Sequence, residues 1–137
     1  MIVVDTNIVA YLWLNSTQTL TVRQLAETDP EWLVPKLWKS EFRNVLAAYL
    51  RRNLISLEDS IWIALEAEDQ LSKYEFDIDS QEILKLVNES TCSAYDCEFI
   101  ALSQTLGLPL ITYDAKILAE FPSIAMTAQR YLDQIKK

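Results

Sequence analysis

Short, largely apolar runs alternate with longer amphipathic stretches along this chain. The runs Ile2–Val4, Trp32–Val34, Leu110–Thr112 and Ile124–Met126 are predicted to be buried strands, because a strand covered on both faces reads as a continuous apolar segment. Strands separated by helical patterns are typical of a parallel sheet, and right-handed crossovers place helices on both of its faces. The pattern predicts a single domain over residues 1–137 with an α/β fold, a three-layer α/β/α sandwich around a central parallel sheet.

Capping residues indicate where the predicted helices begin and end. Ser56, with Asp59 three residues later, and Ser93 are typical N-caps, and Gly107 suits the left-handed position after a helix. Helices are predicted from the end of the first strand to about Thr28, from Pro35 to about Arg52, from Ser56 to about Leu71, from Ser80 to about Asn88, from Ser93 to Gly107, over Ala115–Glu120 and from Thr127 onward. Tyr74–Ile78 is predicted to be either an edge strand or an extended loop.

The composition excludes several kinds of active site. The chain contains no histidine, one glycine and two cysteines. Ser-His-Asp catalysis, Cys-His catalysis and histidine metal sites are therefore excluded, and one glycine cannot build the glycine-rich loops that cradle phosphates. Cys92 and Cys97 cannot supply a Cys₄ zinc site. Carboxylates, hydroxyls, amides and a few cations remain for chemistry.

The apolar segments also bear on where the protein works. No apolar run approaches the roughly 20 residues that span a bilayer, and the apolar residues 1–13 contain Asp5 and lack the basic start of a signal peptide. Two thiols without a recognisable pairing pattern fit a reducing compartment. We therefore expect a cytoplasmic protein that does not enter a membrane.

The net charge of −8 is concentrated in one segment. Residues 58–82 contain nine acids and one base, whereas residues 36–52 contain five bases and one acid. An acidic total usually argues against nucleic-acid binding, but a neutral-to-basic surface can lie opposite an acidic one. The alternative explanation is two solvated helix faces of opposite sign.

Four carboxylates lie where a parallel α/β sheet places its ligand site, beyond the carboxyl ends of the strands. Asp5 directly follows the first strand, and Asp114 comes two residues after the strand that ends at Thr112. Glu41 borders the apolar stripe of its helix, and Asp96 lies on the inward side of its own. Each has an ordinary alternative role: an N-cap for Asp5 and Asp114, a salt bridge or a side chain that extends to water for Glu41, and a capping box for Asp96.

Together the four carboxylates indicate a divalent cation. We expect neighbouring carboxyl groups within about 4–7 Å, the reach of direct or water-bridged metal coordination. Converging carboxylates repel one another at neutral pH, so we also expect at least one pKa raised by mutual repulsion. Without histidine or a thiolate cluster, an oxygen-only Mg²⁺ or Mn²⁺ site is the remaining kind of metal site. Such sites serve phosphoryl chemistry.

The sequence resembles a PIN domain along essentially its whole length. The segments that carry the resemblance are VVDTNIV at Val3–Val9, SEFRNVL at Ser40–Leu46, SAYDCEFIALS at Ser93–Ser103 and LPLITYDAKIL at Leu108–Leu118. Their order, their spacing and the chain length agree with the family, and chains of this size are similar to VapC-type toxins of toxin–antitoxin pairs. The resemblance implies a PIN-like α/β/α fold, an Mg²⁺- or Mn²⁺-dependent endoribonuclease acting on RNA, a homodimer, and inhibition by an antitoxin.

The resemblance also implies a role for each matching residue. The catalytic metal ligands would be Asp5, Glu41, Asp96 and Asp114. Asp5 and Asp96 would be the principal ligands, and Asp114 would be an outer ligand or hold a second ion. The supporting residues would be Thr6, Asn7, Asn44 and Thr112, which would hydrogen-bond to the carboxylates or to metal-bound water. Ordinary capping and turn bonds are the alternative for these four.

Two parts of the chain bear on contacts with partners. Arg51 and Arg52, at the end of the helix that carries Glu41, are predicted to contact RNA phosphates or an acidic partner, whereas residues 58–82 are predicted to face away from RNA. One side of the helix over residues 57–71 is expected to face the core, with a dimer or antitoxin groove as the alternative. This side consists of Leu57, Ile61, Trp62 and Leu65.

Two other functions fit parts of the pattern. The first is a PIN-like module that binds RNA or a protein without catalysis. The second is a phosphotransferase or a dehalogenase-like enzyme with Asp5 as the nucleophile, although such enzymes carry a second aspartate two residues later, where this chain has Asn7. Metal-dependent RNA cleavage distinguishes the endoribonuclease hypothesis from both of these alternatives.

Overall fold

A five-stranded parallel sheet forms the centre of the protein, in the order β3-β2-β1-β4-β5. The computed structural model describes residues 1–136. The strands are β1 (Ile2–Val4), β2 (Trp32–Pro35), β3 (Glu75–Phe76), β4 (Leu110–Ile111) and β5 (Ala125–Met126). Val3 pairs with Leu33 on one side and Leu110 on the other. The apolar β1 is therefore the central strand, and it is wholly buried, as its composition predicts.

The helices cover both faces of this sheet. They are α1 (Thr6–Trp13), α2 (Thr19–Thr28), α3 (Trp38–Arg51), α4 (Leu57–Leu71), α5 (Ser80–Glu89), α6 (Ala94–Leu106), α7 (Ala115–Glu120) and α8 (Ala128–Ile135). The chain runs from β1 outward through β2 to β3 and then returns to β4 on the other side of β1. Right-handed crossovers therefore place α1–α4 on one face and α5–α7 on the other. The predicted α/β/α sandwich is confirmed.

This strand order creates a switch point between β1 and β4. The connections leave these two neighbours in opposite directions, so a crevice opens beyond their carboxyl ends, where parallel α/β sheets bind ligands. Asp5 follows β1, and Thr112 and Asp114 follow β4. The fold therefore brings residues that are distant in sequence to one edge of the sheet.

The predicted helix from the first strand to Thr28 is wrong in one respect, since it is two helices. α1 ends at Trp13, and Leu14 has an extended backbone. The Thr19 hydroxyl accepts a hydrogen bond from Ser16 N at 2.9 Å and donates one to Tyr11 O at 2.8 Å. These side-chain bonds replace helical backbone bonds, which is why the polar residues 15–18 form a turn.

Other boundaries differ by a few residues. Pro35 ends β2 and does not begin the next helix, which starts at Trp38. The helix α5 begins at Ser80, as predicted, and Asp79 caps it by accepting from Gln81 N. The ambiguous segment over residues 74–78 contains the edge strand β3, which pairs with β2. Over residues 1–136, no helix is long and apolar enough to cross a membrane.

Candidate active site

Four acidic side chains from four separate parts of the chain line one pocket of about 230 Å³ at the carboxyl edge of the sheet. The lining residues are Asp5, Thr6, Asn7, Glu41, Asn44, Val45, Asp96 and Asp114. The structure thus brings together seven of the eight residues that the sequence indicated as ligands or supporting groups. The eighth, Thr112, is fully buried behind the pocket.

Asp5 is the deepest of the four acids, with only 7% of the residue exposed. Its Oδ1 accepts a hydrogen bond from Thr6 N at 2.7 Å, and its Oδ2 accepts one from Thr112 Oγ1 at 2.8 Å. The same Thr112 oxygen accepts a bond from Asp114 N at 3.0 Å. One threonine hydroxyl therefore holds the ends of β1 and β4 together at the site.

Glu41 reaches the pocket from the first turn of α3. Its Oε1 accepts a hydrogen bond from Thr6 Oγ1 at 2.7 Å. Thr6 therefore donates from its backbone to Asp5 and from its hydroxyl to Glu41, and it fixes these two carboxylates relative to each other. The predicted alternative, a salt bridge to Glu41, is absent over residues 1–136.

Asp96 and Asp114 take part in the capping interactions that were the alternative for them. Asp114 Oδ1 accepts from Ile117 N at 3.0 Å and caps α7. Ser93 Oγ accepts from Asp96 N at 3.1 Å and caps α6. Both acids nevertheless line the pocket. Capping and a role at the site are therefore compatible here, because the caps lie at the edge of the sheet where the pocket opens.

Burial is the largest influence on the ionisation of this site. It raises the pKa of Asp5 to about 6, against the opposing hydrogen bonds from Thr112 and Thr6. Burial likewise raises the pKa of Glu41 and of Asp96. The expectation of at least one raised pKa is confirmed. The expected cause is wrong in its order, because repulsion between carboxylates is a smaller influence than the loss of hydration.

The repulsion is nevertheless present and links the acids in a chain. The charges of Asp96 and Glu41 raise the pKa of Asp5, that of Asp96 raises the pKa of Glu41, and that of Asp114 raises the pKa of Asp96. A bound divalent cation would offset the free-energy cost of both the desolvation and the repulsion. The donor set consists of oxygen atoms, which Mg²⁺ and Mn²⁺ prefer, so these residues fit such an ion.

The carboxylates share a pocket but are not arranged as a ready-made ligand cluster. Among residues 1–136, no group of three or more histidine, cysteine or acidic side chains is close enough to hold a metal ion. The hydrogen bonds of Asp5 and Glu41 explain part of this, since the threonine hydroxyls occupy carboxylate oxygens that would otherwise be free.

Two charged residues outside the predicted set also influence the site. Glu98, which is partly buried, raises the pKa of Glu41, and Lys116 lowers that of Asp96. Lys116 lies on α7, two residues after Asp114. Its position near the site could therefore have been predicted from the end of β4, which places Asp114 there. Arg51 and Arg52 are exposed at the far end of α3, about 15 Å along the helix axis from Glu41.

Comparison with known proteins identifies the family. The model of the PIN domain family matches residues 2–123. The chain belongs to the PIN domain family. A comparison with curated proteins finds no match.

Solved structures with the same fold cover most of this PIN domain. The protein PAE2754 of Pyrobaculum aerophilum has a TM-score of 0.73 at 16% identity, over 98% of this chain and 95% of that chain. A toxin–antitoxin complex from Klebsiella pneumoniae has a TM-score of 0.68 at 17% identity, over 93% and 98%. VapC20 of Mycobacterium tuberculosis, described as a sarcin–ricin-loop-cleaving toxin, has a TM-score of 0.63 at 18% identity, over 87% and 94%.

Proposed function

We propose that this PIN domain is an endoribonuclease that hydrolyses RNA phosphodiester bonds and depends on Mg²⁺ or Mn²⁺. The observation that carries the proposal is the convergence of Asp5, Glu41, Asp96 and Asp114 on one pocket at the switch point of the sheet. Burial and mutual repulsion raise the pKa of Asp5, Glu41 and Asp96, and no salt bridge within residues 1–136 involves them, so the ionised pocket is costly at neutral pH. A functional role for a bound cation accounts for that cost.

The residues of the pocket would hold the ion, and the ion would act as a Lewis acid on the phosphodiester. When bound, the ion would polarise a phosphate oxygen and lower the pKa of a water molecule. Asp5 and Asp96 would be its principal ligands, with Glu41 completing the site and Asp114 as an outer ligand. Thr112 and Thr6 hold two of these carboxylates by hydrogen bonds. Asn7 and Asn44 line the pocket as neutral polar groups that can orient a phosphate or water.

The alternative in which Asp5 acts as a nucleophile has less support. Enzymes of that class carry a second aspartate two residues after the nucleophile, and this chain has Asn7 at that position. A non-catalytic binding module would need no convergence of four acids. Metal-dependent catalysis is therefore the proposal that uses all four residues.

We also propose that the protein is the cytoplasmic toxin of a toxin–antitoxin pair. The similarity to a toxin–antitoxin complex and to the toxin VapC20 supports this assignment. Both cysteines are free thiols in the structure, which agrees with a reducing compartment. The acidic segment over residues 58–82 would attract a basic antitoxin and not RNA.

The exposed side of α4 is the surface that we propose for the antitoxin or for a second copy of the chain. The expectation that this side faces the core is wrong, because α4 packs instead through Ile63, Ala67 and Leu71. The exposed apolar residues are Leu57, Ile61, Trp62 and Leu65. They lie one helical turn apart or side by side, and a contiguous apolar patch of this kind is typical of an interaction surface.

Cleavage of RNA by the purified chain tests the proposed activity. The expected result is cleavage with Mg²⁺ or Mn²⁺, none after chelation, and none with Asp96→Asn, which changes charge but almost no volume. Glu89→Gln is a matched control, since it removes one exposed carboxylate at the end of α5. Cleavage that persists in Asp96→Asn, or that is indifferent to the chelator, contradicts the proposal.

A further inference from the structure

Tyr95 is an exposed aromatic side chain directly beside the acidic pocket. It precedes Asp96 in the first turn of α6, and 62% of its surface is accessible. No hydrogen bond or aromatic partner within residues 1–136 engages its ring or hydroxyl. The ring is therefore free to accept a ligand on its face.

The ring lies between two concave surfaces. On one side it lines a pocket of about 350 Å³ with Leu37, Ser40, Glu41 and Asn44. This volume falls in the range of about 300–1,000 Å³ that is typical of small-ligand pockets. On the other side it borders a smaller pocket of about 230 Å³ between α5 and α6, which includes Leu84 and Glu98. We call the larger of the two the Tyr95 pocket.

The Tyr95 pocket is continuous with the acidic pocket, because Glu41 and Asn44 line both. A polymer with one phosphodiester in the acidic pocket would therefore place its neighbouring unit in the Tyr95 pocket. The residues there match an uncharged, flat, polar-edged group. Leu37 and the Tyr95 ring provide apolar surfaces, while Ser40 and Asn44 provide donors and acceptors.

We propose that Tyr95 stacks on an unpaired base of single-stranded RNA, next to the phosphodiester that is cleaved. The inference rests on the proposed function and adds a residue that contacts the substrate, the ring on which one unpaired base stacks. Proteins that recognise single-stranded RNA place exposed aromatic rings against bases in this way, since every base has a face that can stack. Tyrosine also suits the role because only two side-chain torsions become ordered.

The neighbouring acids make a base a better occupant than a further phosphate. Glu41 lines the Tyr95 pocket, and Glu98 lies on the other side of the ring. A second phosphate beside these carboxylates would be repelled, whereas a neutral base would not. A divalent cation held by the acidic pocket would balance the charge of the RNA backbone there, and the described residues offer no such balance at Tyr95.

Binding of base-containing and abasic RNA tests the inference. The probe is a labelled, unstructured oligoribonucleotide of about ten nucleotides. It is titrated into the unaltered chain with Ca²⁺ in place of Mg²⁺, so that a divalent cation can occupy the acidic pocket, and the RNA is checked for cleavage after each titration. The same titration is made with Tyr95→Ala and Tyr95→Phe. The control is Leu20→Ala, which removes an exposed apolar side chain on α2, outside every surface proposed for a partner.

Tyr95→Ala is expected to weaken binding roughly tenfold, while Tyr95→Phe and Leu20→Ala bind as the parent does. A series of oligonucleotides then carries a single abasic site, each at a different position. At one of these positions, Tyr95→Ala and the parent should bind with equal affinity, because the base that stacks on Tyr95 is missing. Equal binding of the RNA without an abasic site by Tyr95→Ala and the parent overturns the inference and leaves the proposed function standing. A loss of affinity in Tyr95→Phe as large as that in Tyr95→Ala also overturns stacking. So does a loss of affinity in Tyr95→Ala that persists on every abasic RNA. An absence of RNA binding by the parent overturns both proposals.

Discussion

Thr112 donates a hydrogen bond of 2.8 Å to Asp5, across 107 positions of sequence and with both residues buried. The bond joins the ends of β1 and β4 at the point where the connections of the sheet diverge. The backbone of Asp5 repeats the link, since Asp5 N donates to Ile111 O at 3.0 Å. The deepest carboxylate of the pocket is therefore held by the sheet itself and not by a loop.

Thr112→Val should destabilise the protein and disturb Asp5. The substitution keeps the shape of the side chain but removes the hydroxyl that donates to Asp5 and accepts from Asp114 N. We expect a loss of about 1–3 kcal/mol in the free energy of unfolding, measured with denaturant, because two buried polar groups lose a partner. Thr112→Ser keeps the hydroxyl and should recover most of the loss. Equal destabilisation by both variants would instead indicate a loss of packing.

The metal-free protein should lose stability as the pH rises through the titration of Asp5. Its pKa in the folded state is about 6, above the usual aspartate value of 3.8, so the unfolded chain releases the proton more readily. This destabilising contribution is absent below about pH 4 and complete above about pH 6, with a size on the order of 2–3 kcal/mol. The raised pKa values of Glu41 and Asp96 act in the same direction.

Asp5→Asn isolates that contribution. Thermal unfolding from pH 4 to pH 7 should show a smaller fall in Tm for Asp5→Asn than for the unaltered chain, and Glu89→Gln should leave the fall unchanged. Added Mg²⁺ should reduce the fall in the unaltered chain by stabilising the ionised site. Parallel profiles for Asp5→Asn and the unaltered chain would contradict the assignment of the buried titration to Asp5.

Arg51 and Arg52 remain predicted contacts for RNA phosphates or an acidic partner. Changing both to alanine in the Asp96→Asn background should flatten the dependence of log binding constant on log salt by about 1–2 units, if they contact two phosphates. The matched control changes Arg23 and Arg130, which are exposed on α2 and α8. An unchanged slope means that Arg51 and Arg52 only solubilise the end of α3.

Glu120 should position the loop that leads into α6. Its carboxylate accepts from Thr91 N at 2.9 Å and from the Thr91 hydroxyl, and Lys116 donates to Thr91 O at 3.4 Å. The short helix α7, which Asp114 caps, thus contacts the loop that precedes Asp96. Glu120→Gln should speed amide hydrogen exchange at Cys92 and in the first turn of α6, with little effect on β1. Unchanged exchange there would show that the contact does not restrain the loop.

Much of the fold and of the candidate site could be predicted from the sequence. The apolar runs identified the strands because β1 and its neighbours are covered on both faces, and Asp5 and Asp114 followed from the strand ends. The break after Trp13 could not be predicted from periodicity, since it depends on hydrogen bonds of Thr19. The exposure of Trp62 depends on which side of α4 meets the core, and the pattern of α4 is apolar on more than one side.

A crystal structure of the protein soaked with Mn²⁺ tests the central claim most directly, that the four acids form a site for a catalytic divalent cation. We predict an anomalous scattering peak in the acidic pocket, with oxygen atoms of Asp5 and Asp96 within about 2.0–2.4 Å, after a small shift of the side chains from their present arrangement. The peak should vanish in Asp96→Asn. A pocket without the ion at millimolar Mn²⁺, or Mn²⁺ bound only elsewhere on the chain, would contradict the account.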